Sequence, residues 1–187
     1  SAEGGGLFLI DPDDFVADSV EYGFQIADRT IGQSASKWQL ITEPTPGATN
    51  ATTASFGSPL ELVINEWMAF PEEDGSDWIE LYNPHPTASA LITGLHVRVG
   101  QEIGGLHRIA AIPPRGHQRV RLDMKSGTYH VDLSLPTEGG TITLITAEGI
   151  EFATMSYKRQ RAGVSEGLLP DGSAKRTKFT RGATPGA

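Results

Sequence analysis

The chain has 187 residues, a formal net charge of −8 and a pI near 5.1, with 22 glycines, 12 prolines and no cysteine. Its length allows one ordinary domain and part of another, while the missing cysteine excludes disulfide staples, thiolate metal sites and a thiol nucleophile. The acidity argues against nonspecific binding to nucleic acid or anionic lipid, and the glycine and proline content argues against a mainly helical protein.

Charge is unevenly spread. Residues 1–58 hold eight acids and two bases, residues 59–157 thirteen acids and six bases, and residues 158–187 two acids and seven bases. The last thirty residues are therefore a basic tail on an acidic body. Lys158, Arg159, Arg161, Lys175, Arg176, Lys178 and Arg181 are expected to form a solvated face or an intramolecular complement to that body, because only Tyr157 and Phe179 interleave them. No run approaches the roughly 18 apolar residues of a membrane-spanning helix, and no secretory leader is recognisable, so neither nucleic acid nor membrane insertion is expected.

In chain order, short β-rich runs alternate with turn chemistry. Residues 8–10 and 15–22 flank Asp11-Pro12-Asp13-Asp14, and residues 62–69 and 78–82 flank the acidic loop Glu72-Glu73-Asp74-Gly75-Ser76-Asp77. Residues 95–99 and 119–122 lie on either side of Pro113-Pro114-Arg115-Gly116, and residues 141–146 and 152–157 flank Ala147-Glu148-Gly149. A period of two recurs through these runs, which predicts an all-β fold of antiparallel sheets packed as a sandwich. Alternation puts Ile142 and Leu144 on one face with threonines opposite. It likewise separates Ile79 and Leu81 from Trp78, Glu80 and Tyr82, so that the second face needs its own cover. Residues 43–60 are rich in proline, threonine, alanine and glycine, with little to bury, which predicts a linker.

An internal repeat spans that linker. Glu3-Gly4-Gly5-Gly6-Leu7-Phe8-Leu9-Ile10-Asp11 matches Glu138-Gly139-Gly140-Thr141-Ile142-Thr143-Leu144-Ile145-Thr146, and in both copies a second strand ends in a tyrosine, Tyr22 or Tyr157. Gly32-Gln33-Ser34 then aligns with Gly163-Val164-Ser165, and both copies close on Thr-Pro-Gly-Ala, at residues 45–48 and 184–187. The expected organisation is the C-terminal part of one unit over residues 1–50, a linker over 51–59 and a whole unit over 60–187. Residues 1–50 hold too little apolar surface to stand alone, so they are expected to pack on the second unit or to complete a sheet with another chain.

The second unit resembles the lamin-tail domain family. The resemblance rests on Leu62-Val63-Ile64-Asn65-Glu66, Asp77-Trp78-Ile79-Glu80-Leu81-Tyr82-Asn83, Leu91-Ile92-Thr93-Gly94-Leu95, Ile112-Pro113-Pro114-Arg115-Gly116, and the ending Gly163-Val164-Ser165, Leu169-Pro170-Asp171-Gly172 and Thr184-Pro185-Gly186. Residues 101–108 align less readily, and Leu95-His96-Val97 lacks the tryptophan often found there. The resemblance implies an immunoglobulin-like antiparallel β-sandwich. It also implies a non-catalytic adhesion or recruitment module, in tandem, within a larger exported bacterial protein at the cell surface or outside the cell. Protein partners follow, with homodimerisation through residues 1–50 as one form; the alternative function is a ligand-binding domain for glycan or calcium.

No catalytic, cofactor or metal residues are expected, but several candidates need weighing. Glu66, Asp77 and Glu80, near the acidic loop, are oxygen ligands of the kind calcium takes, against the simpler reading of carboxylates capping turns or facing water. Asp11-Pro12-Asp13-Asp14 reads as hairpin turn chemistry. Gly163-Val164-Ser165-Glu166-Gly167 fits the nucleophile-elbow pattern, but its flanks predict a loop and turn, not the helix an elbow needs, and no histidine follows Ser165. His85, His96, His107, His117 and His130 fall singly, without metal-binding spacing. Asn50-Ala51-Thr52 is a formal glycosylation sequon in the linker, and Trp38, Trp67 and Trp78 are read as core or sheet-cover residues.

Overall fold

The computed structural model describes residues 4–23, 25–26, 29–72, 75–125 and 129–180. Two hairpins come first, β1 (Gly5–Ile10) with β2 (Val16–Tyr22) and β3 (Thr30–Ser34) with β4 (Lys37–Ile41). After a 3-10 turn at Pro59–Glu61 follow β5 (Val63–Met68), β6 (Asp77–Tyr82), β7 (Ala90–Leu91), β8 (His96–Val99), β9 (Glu102–Gly105) and β10 (Ala111–Ile112). The chain continues through β11 (His117–Leu122), β12 (His130–Val131), β13 (Gly139–Ile145), β14 (Glu151–Lys158), β15 (Ser165–Leu168) and β16 (Arg176–Phe179). The protein is an all-β sandwich, as its period-two patterning predicts.

One sheet has the order β12-β11-β6-β5-β15-β16 and the other β14-β13-β8-β9. Neighbours are antiparallel except β11 and β12. Ile64, Trp67, Ile79, Leu81, Val120 and Leu122 of the larger sheet meet Val97, Val99, Ile142, Leu144, Met155 and Tyr157 of the smaller one in a single core. Removing these side chains from water is the main force holding the sheets together. The expected alternation of Ile79 and Leu81, and of Ile142 and Leu144, is realised, since all four are fully buried. The threonine face is less wet than expected: Thr143 is buried and its hydroxyl pairs with that of Thr154 at 3.3 Å.

A bulge in β5 sets the polar arrangement of the larger sheet. Ile64 faces Leu81 and Glu66 faces Glu80, which leaves Asn65 as the extra residue. Such a bulge turns two consecutive side chains to one face. Ile64 and Trp67 thereby both reach the core, while Asn65 and Glu66 share the opposite face with Glu80.

The expected loop and turn after residue 158 is in part sheet. β15 lies between β5 and β16 and carries the pattern of the larger sheet to its edge. Gly167 makes this possible, because a Cβ there would stand 2.7 Å from the Asn65 carbonyl oxygen and 2.9 Å from the Phe179 ring. Residues 101–108 contain β9, which folds back on β8 as a hairpin.

The first hairpin repeats β13–β14 in register. Gly5 faces Tyr22 as Gly140 faces Tyr157, Leu7 faces Val20 as Ile142 faces Met155, and Leu9 faces Asp18 as Leu144 faces Ala153. A bulge follows at the same place, between Leu9 and Ile10 and between Leu144 and Ile145. The preceding glycines share a left-handed backbone, with φ of 124° at Gly4 and 117° at Gly139. A Cβ on Gly5 or Gly140 would approach the facing tyrosine hydroxyl to 3.3 Å in either hairpin. The next alignment shifts: Gly32 lies inside β3 opposite Gln39, whereas Gly163 is a turn glycine at φ 67°. The strand glycine matching Gly32 is Gly167, opposite Thr177 inside β15. The closing Thr-Pro-Gly-Ala at 184–187 lies outside the described residues.

The second hairpin packs on the body. Leu40, Ala54 and Ala111 form a small core with Ile26, Ile31, Phe56, Leu91 and Ile109, joining β4 to the β7–β10 pair. The expected linker is also tied down, with Thr42 N–H donating to Thr52 C=O at 3.0 Å, Ala54 N–H to Leu40 C=O at 2.9 Å and Gly57 N–H to Ser89 C=O at 2.9 Å. Its alanines and Phe56 thus find a surface to cover, which composition alone does not reveal.

The paired hairpins give a direct test of where the core lies. Leu144→Ala is expected to destabilise the protein by about 3 kcal/mol, in the usual range for a fully buried leucine, while Leu9→Ala at the matching exposed position shifts the stability of the single chain by under about 0.5 kcal/mol. Urea unfolding of both variants measures the difference.

Candidate interaction surface

β13 and β1 differ in what occupies their second edge. In β13, residues Ile142, Thr143, Leu144 and Ile145 pair on one side with β14 and on the other with Val99, Arg98, Val97 and His96 of β8. The matching residues of β1 are Leu7, Phe8, Leu9 and Ile10, and among the described residues their sheet contains only β1 and β2. These four side chains are 62%, 58%, 65% and 56% exposed. The hairpin meets the body through the end of β2: Tyr22 bridges Ile109, Gly23 N–H donates to Ile109 C=O at 2.8 Å, and Arg108 pairs with Glu21 at 3.0 Å. The end of β2 thus anchors the hairpin to the body.

Both faces of this hairpin carry large apolar side chains. Leu7, Val20 and Tyr22 look toward Thr30, Ile31 and Trp38 of the second hairpin across a gap of about 380 Å³. Phe8, Ile10 and Val16 occupy the other face, where β13–β14 carries Thr143, Ile145 and Glu151. The turn beyond is acidic and self-contained. Asp11 Oδ1 accepts the N–H groups of Asp13 and Phe15, each at 2.9 Å, and Asp14 takes the left-handed conformation at φ 65°. These carboxylates are turn chemistry, as the sequence suggests.

Three other edge strands, β16, β14 and β2, carry charge. β16, the edge of the larger sheet, carries Arg176 and Lys178; Lys178 pairs with Glu166 at 3.3 Å, and Arg176 donates to the Ser156 carbonyl at 2.6 Å and lies 5.6 Å from the centre of the Trp67 ring. Arg159, exposed, pairs with Glu138 of the acidic body at 3.4 Å. Arg181 lies outside the described residues. β14 carries Glu151 and Lys158, and β2 carries Asp18 and Glu21. Charged side chains on an edge strand discourage pairing with a foreign strand; β1, Gly-Gly-Leu-Phe-Leu-Ile, has none.

The candidate calcium ligands do not converge. Glu66 and Glu80 lie side by side, 2% and 1% exposed, but Asp77 is three residues along β6 with the opposite alternation. Its carboxylate accepts the Leu135 N–H at 2.7 Å. Glu73 and Asp74 of the acidic loop lie outside the described residues, and among the described residues no group of three or more acids and histidines is placed to hold a metal. Ser165 donates to Glu66 Oε1 at 2.5 Å, and Asn65 Nδ2 donates to Glu80 Oε1 and Asp171 Oδ1, each at 3.0 Å. Asn65 Oδ1 accepts the Gly172 N–H at 3.0 Å, and His117, stacked on Tyr82, reaches Asp171 at 3.1 Å. This network latches the loop at 169–172 over the outer face of the larger sheet, beside a cavity of about 300 Å³. It supplies the cover that Glu80 and Tyr82 need.

Ser165 itself is fully buried inside a strand, which gives its oxygen none of the exposure a nucleophile elbow provides. The histidines have separate local roles. His85 Nδ1 accepts the Thr87 and Ala88 N–H groups, His130 meets Asp123 at 2.9 Å, and His96 and His107 touch edge to face. Asn50 of the sequon donates to the Gln33 carbonyl at 2.8 Å. Trp67 and Trp78 are buried and Trp38 is half-buried in the gap between the hairpins. Sequence reasoning expects residues 1–50 to complete a sheet with another chain but does not name the strand; the signal for β1 was the uncharged Leu-Phe-Leu-Ile run where the second copy alternates with threonine.

No family model matches the chain, and no curated protein or solved structure matches it significantly.

Two substitutions probe the buried carboxylates. Ser165→Ala removes a donor from buried Glu66 and is expected to cost about 1–3 kcal/mol in denaturant unfolding. Burial pushes the Asp77 carboxyl above 3.8, outweighing the Leu135 N–H that favours its charged form. The folded state therefore holds this proton more tightly than the unfolded one, so its contribution is present below pH 3.8 and lost as pH rises through the folded value. Burial, aided by the charge of Asp77, also pushes the Tyr157 hydroxyl up to about 12. Stability profiles across the acid range should show wild type losing ground to Asp77→Asn as pH rises from 3.8.

Proposed function

We propose that the chain is a non-catalytic protein-interaction module of the adhesion or recruitment kind, working within a larger exported protein of lamin-tail type. The observation that carries this reading is the bare apolar edge of β1, matching in register the edge of β13 that β8 fills. An unpaired row of backbone donors and acceptors, flanked by apolar side chains, is the surface to which an extended segment adds as a further strand. Affinity then comes from the ladder, and specificity from side chains at alternate positions.

The chemistry of the hairpin favours protein over lipid. Its turn carries Asp11, Asp13 and Asp14, and these carboxylates would lead any insertion into hydrocarbon at high cost. The lamin-tail resemblance supports the recruitment reading by analogy alone, since a fold hosts many functions. It would place the module outside the cell or at its surface, in tandem with others of its type.

A synthetic peptide covering residues 94–106, the β8–β9 hairpin, is a defined probe of the edge. In a solution NMR titration it is expected to shift the amides of Leu7, Phe8, Leu9 and Ile10 while sparing β13, whose edge is already filled. Leu9→Lys should abolish those shifts. No perturbation at millimolar peptide would sink the strand-addition reading.

A further inference from the structure

Resting on that reading, we infer that the strand filling the edge of β1 is β1 of a second copy of this chain, paired antiparallel about a twofold axis at Phe8. Leu7 then faces Leu9 of the second copy, Phe8 faces its own counterpart, and the two hairpins form one four-stranded sheet. A twofold interface requires a self-complementary surface. β1 meets that requirement, because its four exposed side chains are all large and apolar and none brings a like charge against itself.

Electrostatics selects the same edge. The described part of the hairpin carries Asp11, Asp13, Asp14, Asp18 and Glu21, with no base. Joining two copies through β2 with the twofold axis at Asp18 or at Glu21 would set that carboxylate against its own counterpart, which is destabilising. Joining them through β1 puts the acidic β2 strands on the outside of the new sheet, three strand spacings or about 14 Å apart, beyond the screening length of about 8 Å at physiological salt. The acids on β2 therefore block one mode of pairing and leave the other open.

The pairing also covers what the hairpin leaves exposed. Side chains of antiparallel neighbours share faces, so Phe8 and Ile10 of each copy meet on one side of the new sheet, and Leu7 and Leu9 on the other. The contacts that hold the hairpin to the body are made by Glu21, Tyr22 and Gly23 at the end of β2, not by the edge of β1 that pairs.

Light scattering on the intact chain tests the inference, with an expected mass twice 20.0 kDa that falls to one chain in Leu9→Lys. The melting temperature of Leu9→Lys controls for folding of the body. Because the chain has no cysteine, Phe8→Cys supplies an independent readout. Under mild oxidation it should cross-link two chains, while Ser19→Cys on the exposed side of β2 should not. A single-chain mass at NMR concentrations, or a dimer that survives Leu9→Lys without cross-linking through Phe8→Cys, overturns the inference. If the mass is that of one chain but the 94–106 peptide still shifts Leu7 to Ile10, the edge accepts strands and only its occupant is wrong. If both fail, the strand-addition reading falls as well.

Discussion

A strand presents backbone donors and acceptors on both sides, and a side without a neighbour must be hydrated, guarded or filled. That constraint organises this protein. β13 is filled on both sides, by β14 and by β8, and this places Ile142 and Leu144 against the larger sheet. The same hairpin geometry at the start of the chain has the strand, the bulge and the facing tyrosine, but no β8. One pattern thus gives a core element in one place and an open edge in the other. The difference is one of neighbours, because Leu7 and Leu9 are as apolar as the residues they match.

The body solves its own polar problem through the bulge at Asn65. Without the extra residue, a strict alternation could not bring Ile64 and Trp67 to the core while holding both Asn65 and Glu66 on the outer face. Glu66 and Glu80 are then buried beside each other, a costly arrangement unless they are hydrogen-bonded. Ser165 and Asn65 supply those bonds, and Asn65 also engages Asp171 and Gly172. The bulge therefore joins the opening strand of the unit to its closing loop. Asn83 does the same at the other end, donating to the carbonyls of Ala88 and Ile112.

Strands that alternate strongly were legible in the sequence, which is why eight of them, β1, β2, β5, β6, β8, β11, β13 and β14, fall on the eight runs read there. The rest depend on tertiary context. β15, Ser-Glu-Gly-Leu, has little β-propensity of its own and becomes a strand because β5 and β16 flank it. β7, β10 and β12 are two residues long, below any periodic signal. Alternation placed Glu80 correctly opposite Ile79 and Leu81, and the same parity puts Asp77 on the side of Ile79; the Leu135 N–H that its carboxylate meets there is a tertiary contact on which the sequence is silent. The bulge at Asn65 was equally silent, since a bulge is written in pairing and not in composition. Residues 43–60 looked like a free linker because backbone pairing, which ties them to β4 and to Ser89, needs no apolar side chains.

The uneven charge of the chain acquires a structural meaning from its edges. The basic C-terminal stretch supplies Arg176 and Lys178 to the outermost strand of the larger sheet, where lysine and arginine deter foreign strands. The acids of residues 11–21 occupy the turn and the second strand of the first hairpin, where Asp18 and Glu21 guard one edge. Against this background an uncharged six-residue strand with four large exposed apolar side chains is a local exception, and exceptions to edge protection are where association is permitted. A net charge of −8 keeps copies apart at most approach geometries, and the placement of those charges leaves one approach free of repulsion. One charge distribution thus leaves β1 bare of charge while placing acids on β2 and bases on β16.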